Sequence, residues 1–205
     1  MKTSLYSAIY FFVIFVTLLL WTNLVMATGT AGFLKFGIEG GGEDVSGKIP
    51  NLSSDFPVSV GGGVSIAVGL IIITGNHYET QASIGYLFDA GTEEKLSRYH
   101  AAPIELLEFY RVRNHRIGGG ITYHIGPNIT ACQASFSSGP NNVDCSLEED
   151  LDFDAALGTV IQYDYLLRGA MRIELRYTFI DFKSRTVEGK FDGSGVGFAL
   201  SWPFY

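Results

Sequence analysis

An alternation of period two recurs along most of this chain, and it constrains the fold more than any other feature. In "GFLKFGIEGGG", Leu34, Phe36 and Ile38 share one face while Lys35, Gly37 and Glu39 share the other. The run "GGGVSIAVGLIIITG" sets Val64, Ile66, Val68, Leu70 and Ile72 against Gly63, Ser65, Ala67 and Gly69, with Ile71 and Ile73 as exceptions. A spanning helix needs roughly 20 apolar residues, and three leading glycines weaken any helix, so this run reads as a strand.

The same reading extends onward. Tyr78, Ala82, Ile84, Tyr86 and Phe88 oppose His77, Glu79, Gln81, Ser83 and Gly85, and Ile117, Ile121, Tyr123 and Ile125 oppose Arg116, Gly118, Gly120, Thr122 and His124. In "LDFDAALGTVIQYDYLL", Phe153, Ala155, Leu157, Ile161, Tyr163, Tyr165 and Leu167 face away from Asp152, Asp154, Gly158, Gln162 and Asp164. Met171, Ile173, Leu175, Tyr177 and Phe179 then oppose Arg172, Glu174, Arg176 and Thr178, and Val196, Phe198, Leu200, Trp202 and Phe204 oppose Gly195, Gly197, Ala199 and Ser201. The segment "AAPIELLEFYRV" leaves one glutamate on the apolar face in either register. Placing Glu105 inward puts Glu108 outward beside Tyr110, near a membrane boundary where charge costs less; a bulge that resets the register is the alternative.

These segments make eight strands, and their links alternate in length. "TGN", "RVRNH" and "RG" are tight, whereas "EDVSGKIPNLSSDFP", "AGTEEKLSRYH", the cysteine segment "GPNITACQASFSSGPNNVDCSLEED" and "KSRTVEGKFDG" are long. Short turns on one rim and long loops on the other suit an up-and-down barrel and not a Greek-key sandwich. Aromatics such as Tyr78, Phe88, Tyr165, Phe179 and Trp202 sit toward strand ends, as interfacial girdles require. The expected fold is all-β, an eight-stranded antiparallel up-and-down transmembrane β-barrel over residues 28–205. Residues 1–27 read as a signal peptide: Lys2, an apolar stretch from Ala8 to Trp21, and a small-residue site at Val25-Met26-Ala27.

With this strand pattern, the hairpin "FYRVRNHRIGGGITYH" and the aromatic end "FALSWPFY", the mature chain resembles the small eight-stranded bacterial outer-membrane barrels of the OmpA and OmpX type. It is similar in particular to the porin-like outer membrane protein β-barrel domain proteins. The resemblance implies an integral outer-membrane location. It also implies contact with outer-membrane lipid and lipopolysaccharide, delivery by periplasmic chaperones and the barrel assembly machinery, and an extracellular ligand met by the loops. It further implies a C-terminal assembly signal in the row Phe198, Leu200, Trp202 and Phe204, with Tyr205 one residue beyond.

Inward charges are plentiful: Lys35, Glu39, Glu79, Glu105, Arg116, Asp164, Arg172, Glu174 and Arg176. An eight-stranded interior is just wide enough for side chains, so these groups are expected to pair and plug the lumen. The expected role is therefore structural or extracellular interaction; a narrow porin-like channel and a rim-site enzyme are the rivals. No enzyme is expected, because no His precedes a Ser by two residues as in lipid A deacylases, and only His100 with Asp89 or Asp152 suggests a rim pair. The glycine triplets lack a P-loop Lys and the four histidines lack metal spacing, so neither a cofactor nor a metal is expected. A net charge of -7, from 14 Lys+Arg against 21 Asp+Glu, gives no support to a nucleic-acid partner. Cys132 and Cys145 are expected to form a local disulfide in an oxidising compartment, worth roughly 3 kcal/mol by loop closure. Mass spectrometry of the exported protein should find Thr28 at its N-terminus, and retention of Met1 to Ala27 would contradict a cleaved leader.

Overall fold

The computed structural model describes residues 27–43, 59–89, 98–136, 143–167, 171–186 and 189–204. The expected leader up to Met26 and the terminal Tyr205 lie outside the described residues, as do the side chains of residues 27, 28 and 131–149.

Eight strands form the wall: β1 (Ala27–Gly41), β2 (Gly63–Thr74), β3 (Tyr78–Phe88), β4 (Arg98–Val112), β5 (His115–Phe136), β7 (Ala156–Leu166), β8 (Arg172–Phe179) and β11 (Gly195–Phe204). Three further elements, β6 (Val143–Asp152), β9 (Asp181–Lys183) and β10 (Lys190–Asp192), stand at one rim. Neighbours pair antiparallel in sequence order, and the first and last strands close the ring from Gly32 opposite Phe204 to Gly41 opposite Gly195. Closure leaves no wall strand with an unpaired edge, the condition for strands to lie in hydrocarbon.

The tight links are short for identifiable reasons. Gly75 takes a positive φ of 65° in the β2–β3 turn, and Arg113-Asn114 form a two-residue turn between Val112 and His115. Gly32 opposes Phe204, whose exposed ring lies where a larger residue's Cβ would stand and would have to swing aside for one.

Side chains alternate across the wall as the sequence pattern requires. Outward Leu70, Ile117, Ile161 and Leu175 are 52 to 59% exposed, whereas Glu79, Gln162, Asp164 and Glu174 on the inner face are at most 1% exposed. This reverses the arrangement of a water-soluble protein, and an apolar belt of this extent belongs in lipid. Girdles mark its edges: Tyr78 packs on Tyr110 near the short turns, while Tyr86 stacks with Phe88 and Tyr177 packs on Phe179 toward the long loops.

Strand β4 pairs regularly from Ala102 to Val112, with its register shift at His100/Ala102 and none beside the glutamates. Glu105 points inward; Glu108 points outward and accepts a 2.6 Å hydrogen bond from Thr80 Oγ1. Two sequence expectations need correction. The cysteine segment is not all loop, since β5 runs on to Phe136 and pairs with β6 as a hairpin beyond the wall. The β6 segment does alternate, Val143, Cys145, Leu147 and Leu151 against Asp144, Ser146, Glu148, Asp150 and Asp152, whereas β5 beyond Ala131 does not and its register shifts between Gln133 and Ala134; Thr130 and Asp150 are hydrogen-bonded across the pair at 2.8 Å. Phe153 does not lie on the lipid face: the ladder breaks between it and Ala156, the phase resets, and the ring is 1% exposed inside the mouth.

The belt makes a quantitative expectation. Leu175→Arg, in the lipid-facing row of β8, should lower the free energy of folding into phospholipid vesicles by about 2 to 4 kcal/mol. Thr186→Arg, on the exposed rim hairpin, should change it by less than about 0.5 kcal/mol. Equal losses in denaturant titrations of the two variants would contradict the orientation of the wall.

Candidate functional site

The interior of the barrel holds the concentrated chemistry, built from the inward row of each strand. Near the short turns, Arg116 of β5 is the hub. Its Nε donates to Asp164 Oδ2 at 2.6 Å, its Nη1 to Glu79 Oε2 at 2.8 Å and its Nη2 to Gln81 Oε1 at 2.9 Å. The guanidinium also lies 3.8 Å above the ring of Phe109, for which Gly118 leaves room on the adjacent strand. Glu79 is shared with Arg111 at 3.1 Å and Arg172 at 3.4 Å. Gln162 bridges the acids, its Nε2 donating to Asp164 at 2.8 Å and Glu174 at 3.1 Å.

A second cluster lies further along the axis. Glu105 accepts from Lys35 Nζ at 3.1 Å, from Arg176 Nη1 at 3.2 Å and, more closely, from Arg176 Nη2. Ser83 Oγ adds a 3.4 Å contact, and Glu39 stands 4.0 Å from Arg176. Of the nine inward charges singled out from sequence, the structure groups Lys35, Glu39, Glu105 and Arg176 in this cluster and Glu79, Arg116, Asp164, Arg172 and Glu174 in the first. Sequence reasoning missed Arg111, although it shares the inward parity of Glu105 on β4.

Buried ions of this kind survive only when paired, because each loses several kcal/mol of hydration. Pairing here is extensive yet incomplete. Gln81 Nε2, Thr122 Oγ1, Glu174 Oε1 and Arg176 Nε make no hydrogen bond to any described residue. Such atoms are ordinarily met by ordered water.

At the long-loop end the interior turns apolar. Phe153 packs edge-on against Phe191 with ring centres 5.6 Å apart, and Phe182 lies 6.0 Å from Phe153 and 6.4 Å from Tyr99. Val60, Leu87, Ile129, Leu151 and Ile180 complete this core. Phe182 and Phe191 come from the small hairpin β9–β10, which turns its apolar side into the mouth. The cluster was missed because Tyr99 and Phe191 sit in segments that read as loop and Phe153 reads as outward on its strand. Ile180 and Phe182 nevertheless continue the inward parity of Arg176 and Thr178, a signal that could have found them.

The remaining candidates are placed as follows. Cys132 lies opposite Glu148, and Cys145 opposite Ala134, on the paired strands β5 and β6; their side chains are outside the described set. Phe198, Trp202 and Phe204 point outward and exposed, Leu200 is half-buried, and Tyr205 is outside the described residues. At the loop rim Asp152 accepts from Asn128 Nδ2 at 2.8 Å, with Asn128 opposite His100 across the β4–β5 ladder. His115 Nδ1 meets the Tyr163 hydroxyl at 2.7 Å and His77 Nδ1 the Arg111 carbonyl at 3.1 Å. Among the described residues no three His, Cys, Asp or Glu side chains gather as a metal site would require.

No model of a protein family matches the chain, and no curated protein matches it. Among solved structures it is similar to Neisserial surface protein A, with a TM-score of 0.52 and 9% identity over 87% of this chain and 99% of that one. An identity this low speaks for the fold alone, and the fold is that of a closed, eight-stranded antiparallel outer-membrane β-barrel.

Proposed function

We propose that this protein is an integral outer-membrane barrel whose lumen is closed, and whose function resides in the long-loop rim displayed to the exterior. The short turns and both chain ends then face the periplasm, as in barrels of this architecture. The observation that carries the reading is an aromatic core at the loop rim followed by two ionic clusters toward the turns, which supports a lumen closed by side chains. Eight strands leave little space beyond such side chains. The solved neighbour is titled a surface protein, which agrees with display at the cell surface. Lipopolysaccharide and phospholipid around the belt, the assembly machinery during insertion, and an extracellular ligand at the rim are the partners this role entails.

A narrow channel is the second reading, and the buried polar atoms without protein partners favour it, since water drawn to them would thread the lumen. Conductance separates the two. In planar bilayers the unmodified protein should carry no steady current. Glu105→Ala leaves Lys35 and Arg176 without their shared carboxylate, so water should enter and brief openings become more frequent. Stable ion-selective channels from the unmodified protein would overturn the closed reading in favour of the channel.

A further inference from the structure

The turn-end mouth of the barrel carries more cation than its carboxylates use. A half-open pocket there is lined by Arg111, Arg113, Arg116 and Arg172, against Glu79 and Asp164. Glu174, one inward position further along β8, adds a third acid, so among the described residues the group keeps one positive charge over. Glu79 is already divided among three guanidinium groups and Asp164 is held by Arg116 and Gln162.

The surplus falls on two residues. Arg172 is 6% exposed, reaches Glu79 only at 3.4 Å through Nη2, and its Nη1 has no hydrogen-bond partner among the described residues. A buried guanidinium N–H left in this state is costly; Nη1 itself is closed to solvent, and Arg172 adds its charge to the pocket from beneath. Arg113 makes no side-chain hydrogen bond or ion pair among the described residues and sits exposed at the pocket's edge. It also occupies a backbone position with φ of 54°, the one non-glycine residue with positive φ among those described. Glycine would be more comfortable there, so the turn holds a guanidinium over the mouth at a cost in backbone strain.

We propose that this mouth is an oxyanion site that takes a phosphate group. Arg113 binds it at the rim with Arg111 alongside, and Arg172, buried beneath, adds its positive charge. Phosphate fits because guanidinium groups donate in parallel pairs to its oxygens and because the site offers cations without a matching set of acids. Tyr78 and Tyr110 form part of the girdle at this level, so the pocket stands at the depth of lipid headgroups and also opens to the aqueous side. A free phosphate and the phosphate of an anionic headgroup are therefore the two sources of the same chemistry.

The test uses the full chain folded in a nonionic detergent and titrated with inorganic phosphate by calorimetry. It is repeated in phosphatidylcholine nanodiscs with and without phosphatidylglycerol, read by phosphorus NMR. Saturable phosphate binding is expected, weakened severalfold in Arg172→Gln, as the loss of a nearby positive charge implies. Arg113→Gln, on an exposed turn where folding is not at stake, should weaken it severalfold. Binding displaced by phosphatidylglycerol, or a phosphatidylglycerol signal perturbed by the unmodified protein and not by Arg113→Gln, would name the headgroup as the source. Absence of saturable binding in detergent together with an unperturbed headgroup signal would overturn the proposal. So would binding that is unchanged in Arg113→Gln, whether or not Arg172→Gln folds.

Discussion

Everything in this structure depends on the hydrogen bonding of the peptide backbone in a medium that cannot supply it. A strand in hydrocarbon must satisfy its N–H and C=O groups within the protein, and a sheet does so only when its last strand returns to its first. The pairing of β1 with β11 is that return. Closure dictates the rest: with the apolar row of every strand turned outward, each polar row is forced into a space only a few side chains wide.

That confinement explains why the interior resembles a salt-bridged protein core. Arginine serves as the cation in the turn-end cluster because its flat fork reaches several acceptors at once, as Arg116 reaches Asp164, Glu79 and Gln81. The two ionic clusters lie apart, with Phe109 and Leu107 occupying the inward positions of β4 between Arg111 and Glu105. Above them the aromatic core uses the hairpin β9–β10 as its outer wall, so the loop rim is packed onto the barrel. The charge left over collects at the opposite mouth, where Arg113 and Arg172 are short of acids.

The wall was legible in the sequence because its strands share one rule, apolar outward and small, polar or charged inward, with buried exceptions such as Phe33, Ile71, Leu107 and Phe109. The segment 64–70 shows it with no charged residue to help, while cost placed Glu105 inward and Glu108 outward with a bulge still open as the alternative. Other parts were not legible, for physical reasons. The β5–β6 hairpin stands outside the belt, and although β6 alternates over 143–152 its partner beyond Ala131 does not and the pair carries a register shift, so the segment does not stand out as two strands. Phe153 follows the rule of its strand until the ladder breaks at Asp154, and periodicity cannot show a break in pairing. Which inward charges meet depends on the stagger of the strands around the ring. That Glu79 would serve Arg111, Arg116 and Arg172, and Glu105 would serve Lys35 and Arg176, is a property of closure that no single strand contains.

The account stands on the claim that the outward row lies in lipid, and Trp202 reports on it directly. The chain has two tryptophans, Trp21 and Trp202, so Trp21→Phe leaves Trp202 as the single indole, pointing outward beside Phe36 with ring centres 6.1 Å apart. Its fluorescence should be blue-shifted in vesicles, quenched by lipids brominated on their acyl chains, and shielded from iodide. Emission at the wavelength of a water-exposed indole, quenched by iodide and indifferent to brominated lipid, would contradict the account.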